Sequence, residues 1–254
     1  MGTQARMSGA ARLLAAALLV GASAAEAAEV KVMASAAVRE AYDVIVAAFE
    51  KETGHRVVTV WDGSANITKR IAGGEVVDLV ITPAPNIDKL IADGKLVAGS
   101  RLDVARSGVG IAVRAGLPRP DVSSADAVKA AVLAAKSVAY SSGPSGAYIA
   151  ALFERMGIAD KVKDKVTQTP SGVQVADVLA RGEAELGFQQ VSELLHAKGI
   201  DYVGPLPAEI QQITVFSAGL HGAAASPDAA RALVRFLKAP EAAPIIRKTG
   251  MEPG

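Results

Sequence analysis

Residues 36–64 read AAVREAYDVIVAAFEKETGHRVVTVWDGS, and this stretch decides the fold class. Its first part carries apolar residues at helical spacing, Ala37, Ala41, Val44, Ile45, Ala48 and Phe49, and predicts a helix over 36–52. Gly54 follows as a stop, because glycine readily takes the left-handed conformation that ends helices. Arg56 to Trp61 is a β-branched run that predicts a strand, and Asp62-Gly63-Ser64 is a turn into the next helix. Helix, strand and helix in immediate succession form the repeating unit of an α/β protein.

The same alternation continues outward. Residues 29–33 predict a strand before the quoted stretch. After it come a helix over 66–72, an apolar strand over 76–82 suited to a buried parallel position, a helix over 85–93 and a strand over 109–113. Gly116, Pro118 and Pro120 then break the pattern, and the chain is expected to cross into a second lobe. That lobe takes a helix over 124–135, a strand over 137–140, a helix ending near Met156, a helix over 172–180 and a strand over 185–189. Gly204-Pro205-Leu206-Pro207 marks the return, followed by a strand over 213–219 and helices over 227–237 and 240–248. The expected architecture is α/β with mostly parallel strands. One lobe spans residues 28–108 plus 214–254, and the other spans 109–213.

Half of the 254 residues are hydrophobic, enough for two cores of this size. Lys plus Arg number 27 against 26 Asp plus Glu, so no charge excess marks a nucleic-acid or anionic-membrane partner. Anion selectivity must therefore come from a local site. Arg6 and Arg12 followed by the apolar run Leu13 to Val20 read as a secretory signal, too short to span a bilayer. Ala25-Glu26-Ala27 has the small-x-small cleavage pattern, which puts residues 1–27 in the signal and cleavage near Ala27/Ala28. The expected location is the periplasm, without membrane insertion and as a monomer. Without cysteine the chain has no disulfide or lipidated-cysteine anchor.

No metal-ligand set stands out: His55, His196 and His221 are far apart and outside any metal motif, and no cofactor is expected. Gly143-Pro144-Ser145-Gly146 lacks the lysine of a phosphate loop, and there is no nucleophile elbow. What remains is a set of four helix starts preceded by small polar residues, at Ser35, Asp62-Gly63-Ser64, Ser141 to Gly146 and Ser171-Gly172-Val173. A helix start offers unpaired N–H groups and the positive end of the dipole. Any one of them is an ordinary cap. Four following strands in one α/β chain suggest an anion site outside the strand ends.

Several segments carry a resemblance. They are Ala48 to Gly54, Gly63-Ser64 leading to Ile71, Val76 to Ile81, Pro144-Ser145-Gly146-Ala147-Tyr148, and Gly182-Glu183-Ala184-Glu185-Leu186-Gly187. In order and spacing, from about Val30 to Glu252, the chain resembles the periplasmic molybdate-binding proteins of ABC importers, within the type-II solute-binding fold. The resemblance implies two α/β lobes closing on a small anion, with a membrane permease as partner. It also implies ligand contacts from Ser64, from the backbone at Ser145, Gly146 and Val173, and at two positions where this chain departs. The expected serine falls on Ala37, and the expected tyrosine falls on Gln190. Arg39 stands on the first turn of the first helix, where its planar fork would suit a carboxylate. A buried anion left short of donors is costly, about 1–3 kcal/mol per unpaired group. The departures therefore turn the expectation from molybdate toward an organic di- or tricarboxylate.

Two readings follow from that resemblance. The favoured one is a transport receptor for a small anion. The alternative is an aconitate isomerase, since such enzymes occur in the same family. It would need a proton carrier, for which Tyr148 and Glu193 are the candidates. Both also read plainly as structural residues, Tyr148 at the core edge and Glu193 on a helix surface. A true molybdate or tungstate receptor is the third alternative.

Overall fold

The computed structural model describes residues 27–254, so the expected signal segment lies almost wholly outside the described residues. In chain order the strands are β1 (Glu29–Ser35), β2 (Arg56–Asp62), β3 (Leu79–Pro83), β4 (Leu102–Arg114), β5 (Val138–Tyr140), β6 (Val166–Gln168), β7 (Leu186–Gln190), β8 (Ile200–Pro205), β9 (Ile213–Leu220) and β10 (Glu252–Pro253). The helices are α1 (Arg39–Thr53), α2 (Ser64–Ala72), α3 (Ala84–Ala92), α4 (Ala125–Ala134), α5 (Pro144–Arg155), α6 (Ala159–Val162), α7 (Val175–Ala180), α8 (Val191–Leu194), α9 (Pro227–Leu237) and α10 (Ala242–Lys248). Among the described residues no helix is long and apolar enough to cross a membrane.

Two sheets share one strand. β1 lies between β2 and β3, parallel to both, and β9 runs antiparallel to β3. Residues 102–108 of β4 pair with β9, and β10 joins along the same stretch. From Val109 onward β4 pairs instead with β7 and β8, while β5 lies parallel between β6 and β7. The expectation of mostly parallel strands holds within each βα succession and fails at β4 and β9. These two strands carry the chain out and back, so they run antiparallel to each other. The sequence reading also started β4 at Val109. The residues from Leu102 to Gly108 mix charged and apolar side chains and gave no strand signal, yet they pair along their length with β9.

Each sheet is covered on both faces, as a βα succession requires. Val30, Val32 and Ala34 of β1 pack with Phe216 under α1, α9 and α10, while Met33 faces Ile67, Ile71, Ile87 and Leu90 of α2 and α3. In the second sheet Ile111, Val138 and Phe188 pack against Phe153 and Ile149 of α5, and Ala112 and Ala139 face Val175 and Leu179 of α7. The alternation along β1 is the two-residue period of a strand buried on both sides.

Helix α1 shows how the local pattern resolves. A 3-10 turn over Ala36–Val38 precedes it, and Gly54 closes it at φ 75° with its N–H on the Glu50 carbonyl, as expected of a glycine stop. Its buried face is Ala41, Tyr42, Ile45, Val46 and Phe49, whereas Val44 is 54% exposed. Tyr42 turns the face toward β2: its hydroxyl lies 3.0 Å from Thr59 Oγ1 and its ring meets Trp61 edge-on. Buried Asp78 ties the first sheet together, accepting from the Lys31 and Ser226 N–H groups at 2.7 Å each.

Candidate functional site

The strand-to-helix junctions converge. Ser35, Ala36 and Ala37 follow β1, Asp62-Gly63-Ser64 joins β2 to α2, and Ser141 to Ser145 joins β5 to α5. Together with Pro170 to Gln174 ahead of α7, they line one cavity of about 40 Å³. Phe216 from β9, Gln189 from β7 and Glu193 from α8 complete the wall. The starts of α2 and α5 aim N–H groups and the positive ends of their dipoles at the same space, as does the 3-10 turn that leads into α1.

The hydroxyls are buried and arranged in pairs. Ser64 Oγ donates to Ser35 Oγ at 3.4 Å, and Ser141 Oγ lies 3.0 Å from Ser145 Oγ. Ser141 Oγ also accepts from the Gly143 N–H at 3.3 Å. These serines are at most 8% exposed, so any hydroxyl proton not used within a pair is available to a ligand. Ser35, which carried no expected ligand role, thus stands in the cavity. It supplies a hydroxyl near the place where Ala37 lacks one.

The lining has no Lys, Arg or His side chain and two carboxyl groups of opposite character. Burial alone would push Asp62 up, but hydrogen bonds from Asn66, the Gly63 N–H and Arg70 outweigh it and hold this carboxyl below the usual range. Arg70 Nη1 sits 3.1 Å from Asp62 Oδ2 and balances its charge. Glu193 has no such cation. Burial pushes its carboxyl up to about 7, only partly offset by hydrogen bonds from the Gln174 and Gln189 side chains and the Gln190 N–H.

The expected site residues divide between the cavity and other places. Ala37, Ser64, Ser145 and Val173 line it, as does Glu193, for which a plain surface carboxylate is the other expectation from sequence. Gly146 sits behind the lining: a methyl there would fall 1.5 Å from the Ser141 carbonyl oxygen, so its lack of a side chain lets α5 pack on the serine loop. Arg39 does not reach the cavity. It points outward with its guanidinium 5.2 Å over the Trp61 ring and 3.6 Å from Asp43, and its side chain is 59% exposed. The first turn of α1 buries Ala41 and Tyr42 and so turns Arg39 to solvent.

Gln190 is buried at the crossing between the sheets. With its amide oxygen accepting from Thr214 Oγ1 at 2.9 Å, its nitrogen donates to the Ser107 and Gly108 carbonyls at 3.1 and 3.2 Å. Its neighbour Gln189 faces the cavity instead, because successive strand residues point to opposite faces. Tyr148 also lies elsewhere, donating its hydroxyl to the Ile210 carbonyl at 2.6 Å beneath the Arg155 guanidinium. The residues that sequence reasoning missed are Gln174 and Gln189, each beside a position it had singled out. Among the described residues no group of three His, Cys, Asp or Glu side chains is placed to hold a metal ion.

Comparison with known proteins gives a consistent picture. A family model described as bacterial extracellular solute-binding protein matches residues 30–252. An aconitate isomerase from Pseudomonas sp is 39% identical over 215 residues, covering 82% of each chain. The molybdate-binding protein ModA of Azotobacter vinelandii is 31% identical over 238 residues, covering 90% of this chain and 92% of that one. A solved structure of the periplasmic molybdate-binding protein of Azotobacter vinelandii superposes with a TM-score of 0.76 at 22% identity, over 89% of this chain and 99% of that one.

Proposed function

The chain belongs to the bacterial extracellular solute-binding protein family, and from that premise we propose that it is an exported cleft protein that binds aconitate and interconverts its cis and trans forms. Glu193 is the proton carrier. One observation carries this reading: the cavity at the helix starts is lined by Glu193, whose carboxyl is pushed up to about 7 by burial with no cation to offset it. A general acid–base group works best with its pKa close to the working pH. A pure receptor has no need of one. The similarity to a protein named aconitate isomerase supports the same substrate class.

The chemistry is a proton shift along three carbons. The Glu193 carboxylate takes a proton from the methylene carbon of aconitate. The C–H electron pair becomes a new double bond to the central carbon, and the former double bond moves out onto the other terminal carbon and its carboxylate. The same proton then returns to that terminal carbon, so one C–H bond breaks, one forms, and nothing is oxidised or reduced. Negative charge spreads over the substrate carboxylates during the step. The N–H groups at the starts of α2 and α5 and the hydroxyls of Ser35, Ser64, Ser141 and Ser145 are already aimed at that space. Those hydroxyls and N–H groups, rather than Arg39, hold the ligand.

A second reading is favoured by a different observation. On the scale where a water fills roughly 10–15 Å³, a cavity of about 40 Å³ holds about three or four water-sized groups, nearer to a tetrahedral oxyanion than to a whole tricarboxylate, which would need the cavity to widen. Ser35 also restores a hydroxyl that Ala37 lacks. On this reading the protein is a receptor that delivers a small oxyanion to a membrane permease, and both readings place the mature chain, cut near Ala27/Ala28, in the periplasm.

Thermal-shift titration separates the two. The mature protein is titrated with cis-aconitate, trans-aconitate, citrate, molybdate, tungstate and sulfate. Aconitates raising the melting temperature more than the oxyanions supports the isomerase reading. Stabilisation by molybdate or tungstate with none by the aconitates overturns it.

A further inference from the structure

Resting on the reading of Glu193 as proton carrier, we propose that Gln190, Ser107 and Ser192 are positioning residues, a directional chain of hydrogen bonds that holds the 3-10 turn of Ala36–Val38 and the backbone of α8 in fixed register at the cavity wall. The chain joins the two positions at which the sequence departs from its resemblance, Ala37 and Gln190, neither of which offers the cavity a donor side chain. It begins on β9. Thr214 Oγ1 donates to the Gln190 amide oxygen at 2.9 Å, which turns the Gln190 nitrogen toward β4, 3.3 Å from Ser107 Oγ. Ser107 Oγ lies 3.4 Å from Ser192 Oγ on α8, and Ser192 Oγ donates to the Ala37 carbonyl oxygen at 2.8 Å.

The direction follows from the last bond. A carbonyl only accepts, so the one hydroxyl hydrogen of Ser192 is committed to Ala37. Ser107 is then the donor in its contact with Ser192, a hydrogen it shares with the Gly108 carbonyl at 3.4 Å, and its oxygen is left to accept from the Gln190 NH2 group. Thr214, Gln190, Ser107, Ser192 and Ala37 are all buried, where an unmade bond is costly. The chain ends on the cavity from two sides: Ala36 and Ala37 line it, and so does Glu193, the residue after Ser192. One turn past Ser192, His196 Nδ1 lies 2.7 Å from Glu40 Oε1, so this segment meets the start of α1 twice. The Glu193 backbone is held between these two contacts whichever way its carboxyl turns. Ser107 and Thr214 are paired across β4 and β9, and Gln190 pairs with Val109 where β4 passes to the second sheet. The same chain therefore ties the placement of Glu193 to the crossing between the sheets.

The test compares Ser192→Ala, Ser107→Ala, their double variant and Ser192→Thr, which keeps the hydroxyl. Backbone amide exchange of the ligand-free protein, read by NMR, does not depend on turnover and so stands apart from the isomerase reading. Residues 36–41 and 191–196 are expected to exchange about fivefold faster or more in Ser192→Ala, the scale of one lost buried hydrogen bond, with α4 unchanged and Ser192→Thr close to wild type. Because the residues act in series, the double variant is expected to exchange no faster than Ser192→Ala. In the interconversion of cis- and trans-aconitate, kcat of Ser192→Ala is expected to fall about tenfold with KM within about threefold of wild type, since the donors of α2 and α5 still hold the ligand. Unchanged exchange in Ser192→Ala, additive effects in the double variant, or an unchanged kcat where wild type turns over would each overturn the proposal. If wild type shows no turnover, the isomerase reading fails, and the exchange result alone decides whether the chain holds the turn and α8 together.

Discussion

Gly63 lies so close to Ser171 that a methyl group on Gly63 would fall 2.1 Å from the Ser171 hydroxyl oxygen and 2.8 Å from the Gly172 nitrogen. The two residues stand on opposite sides of the cavity, at the start of α2 and ahead of α7. Their close approach ties the β2–α2 junction to the segment ahead of α7. The backbone of Gly63, at φ −71° and ψ 146°, is open to any residue, so the close approach and not the conformation calls for glycine.

Gly63→Ala should therefore disturb closure without disturbing folding. The chain has no cysteine, so fluorophores on Lys69→Cys of α2 and Glu154→Cys of α5 report the distance across the cleft cleanly. The expected outcome is a lower transfer efficiency in Gly63→Ala than in wild type, with unfolding midpoints that agree closely. Unchanged efficiency would show that Gly63 and Ser171 do not meet in solution.

Glu193 makes stability depend on pH in a definite direction. Its folded-state pKa of about 7 lies above the ordinary 4.5, so the fold favours the protonated form. Its contribution is whole below about pH 4.5 and is lost as pH rises through about 7. Above that, the folded protein carries a half-buried, desolvated carboxylate without a cation. Wild type should lose roughly 2–3 kcal/mol relative to Glu193→Gln between pH 4.5 and 8, from the shift at about 1.4 kcal/mol per unit. Urea unfolding of both proteins across this range checks it, and parallel curves would refute it.

Arg39 should prove dispensable for ligand. Arg39→Ala removes a guanidinium stacked on the half-buried Trp61 ring and paired with the exposed Asp43, its own side chain being 59% exposed. Exposed contacts of this kind contribute about 0–1 kcal/mol each. Calorimetric titration with the best ligand should give an affinity within about twofold of wild type. A tenfold loss would mean that Arg39 swings into the cavity on binding, as the sequence alone suggested.

Much of the fold is legible in the sequence because its signals are local. The glycine stop at Gly54, the β-branched run before Asp62 and the Pro227 helix start each act within a turn or a strand. The unread parts depend on partners far away in the chain. The residues from Leu102 to Gly108 look like loop until β9, about a hundred residues later, pairs with them. The site divides in the same way. Serines and glycines at helix starts advertise an anion cavity, and Ser64 and Ser145 are found in it. The placement of Arg39 turns on which side of α1 is buried, and that of Gln189 against Gln190 on a one-residue alternation in β7. Neither is fixed by spacing alone. Glu193 could be named as a candidate, but its raised pKa comes from burial, which only the folded chain reveals.

The central claim is that Glu193 moves a proton on aconitate, and proton NMR of the vinyl signals tests it directly. Purified mature protein is mixed with cis-aconitate at pH 7 and followed over time beside Glu193→Gln. The account predicts that wild type converts cis- to trans-aconitate and runs the reverse reaction from the trans isomer. It also predicts that Glu193→Gln, still folded and still stabilised by the ligand, is about a hundredfold slower or more, the usual scale for loss of a general acid–base group. Conversion by wild type no faster than by Glu193→Gln or by buffer alone would contradict the claim and leave the protein a receptor.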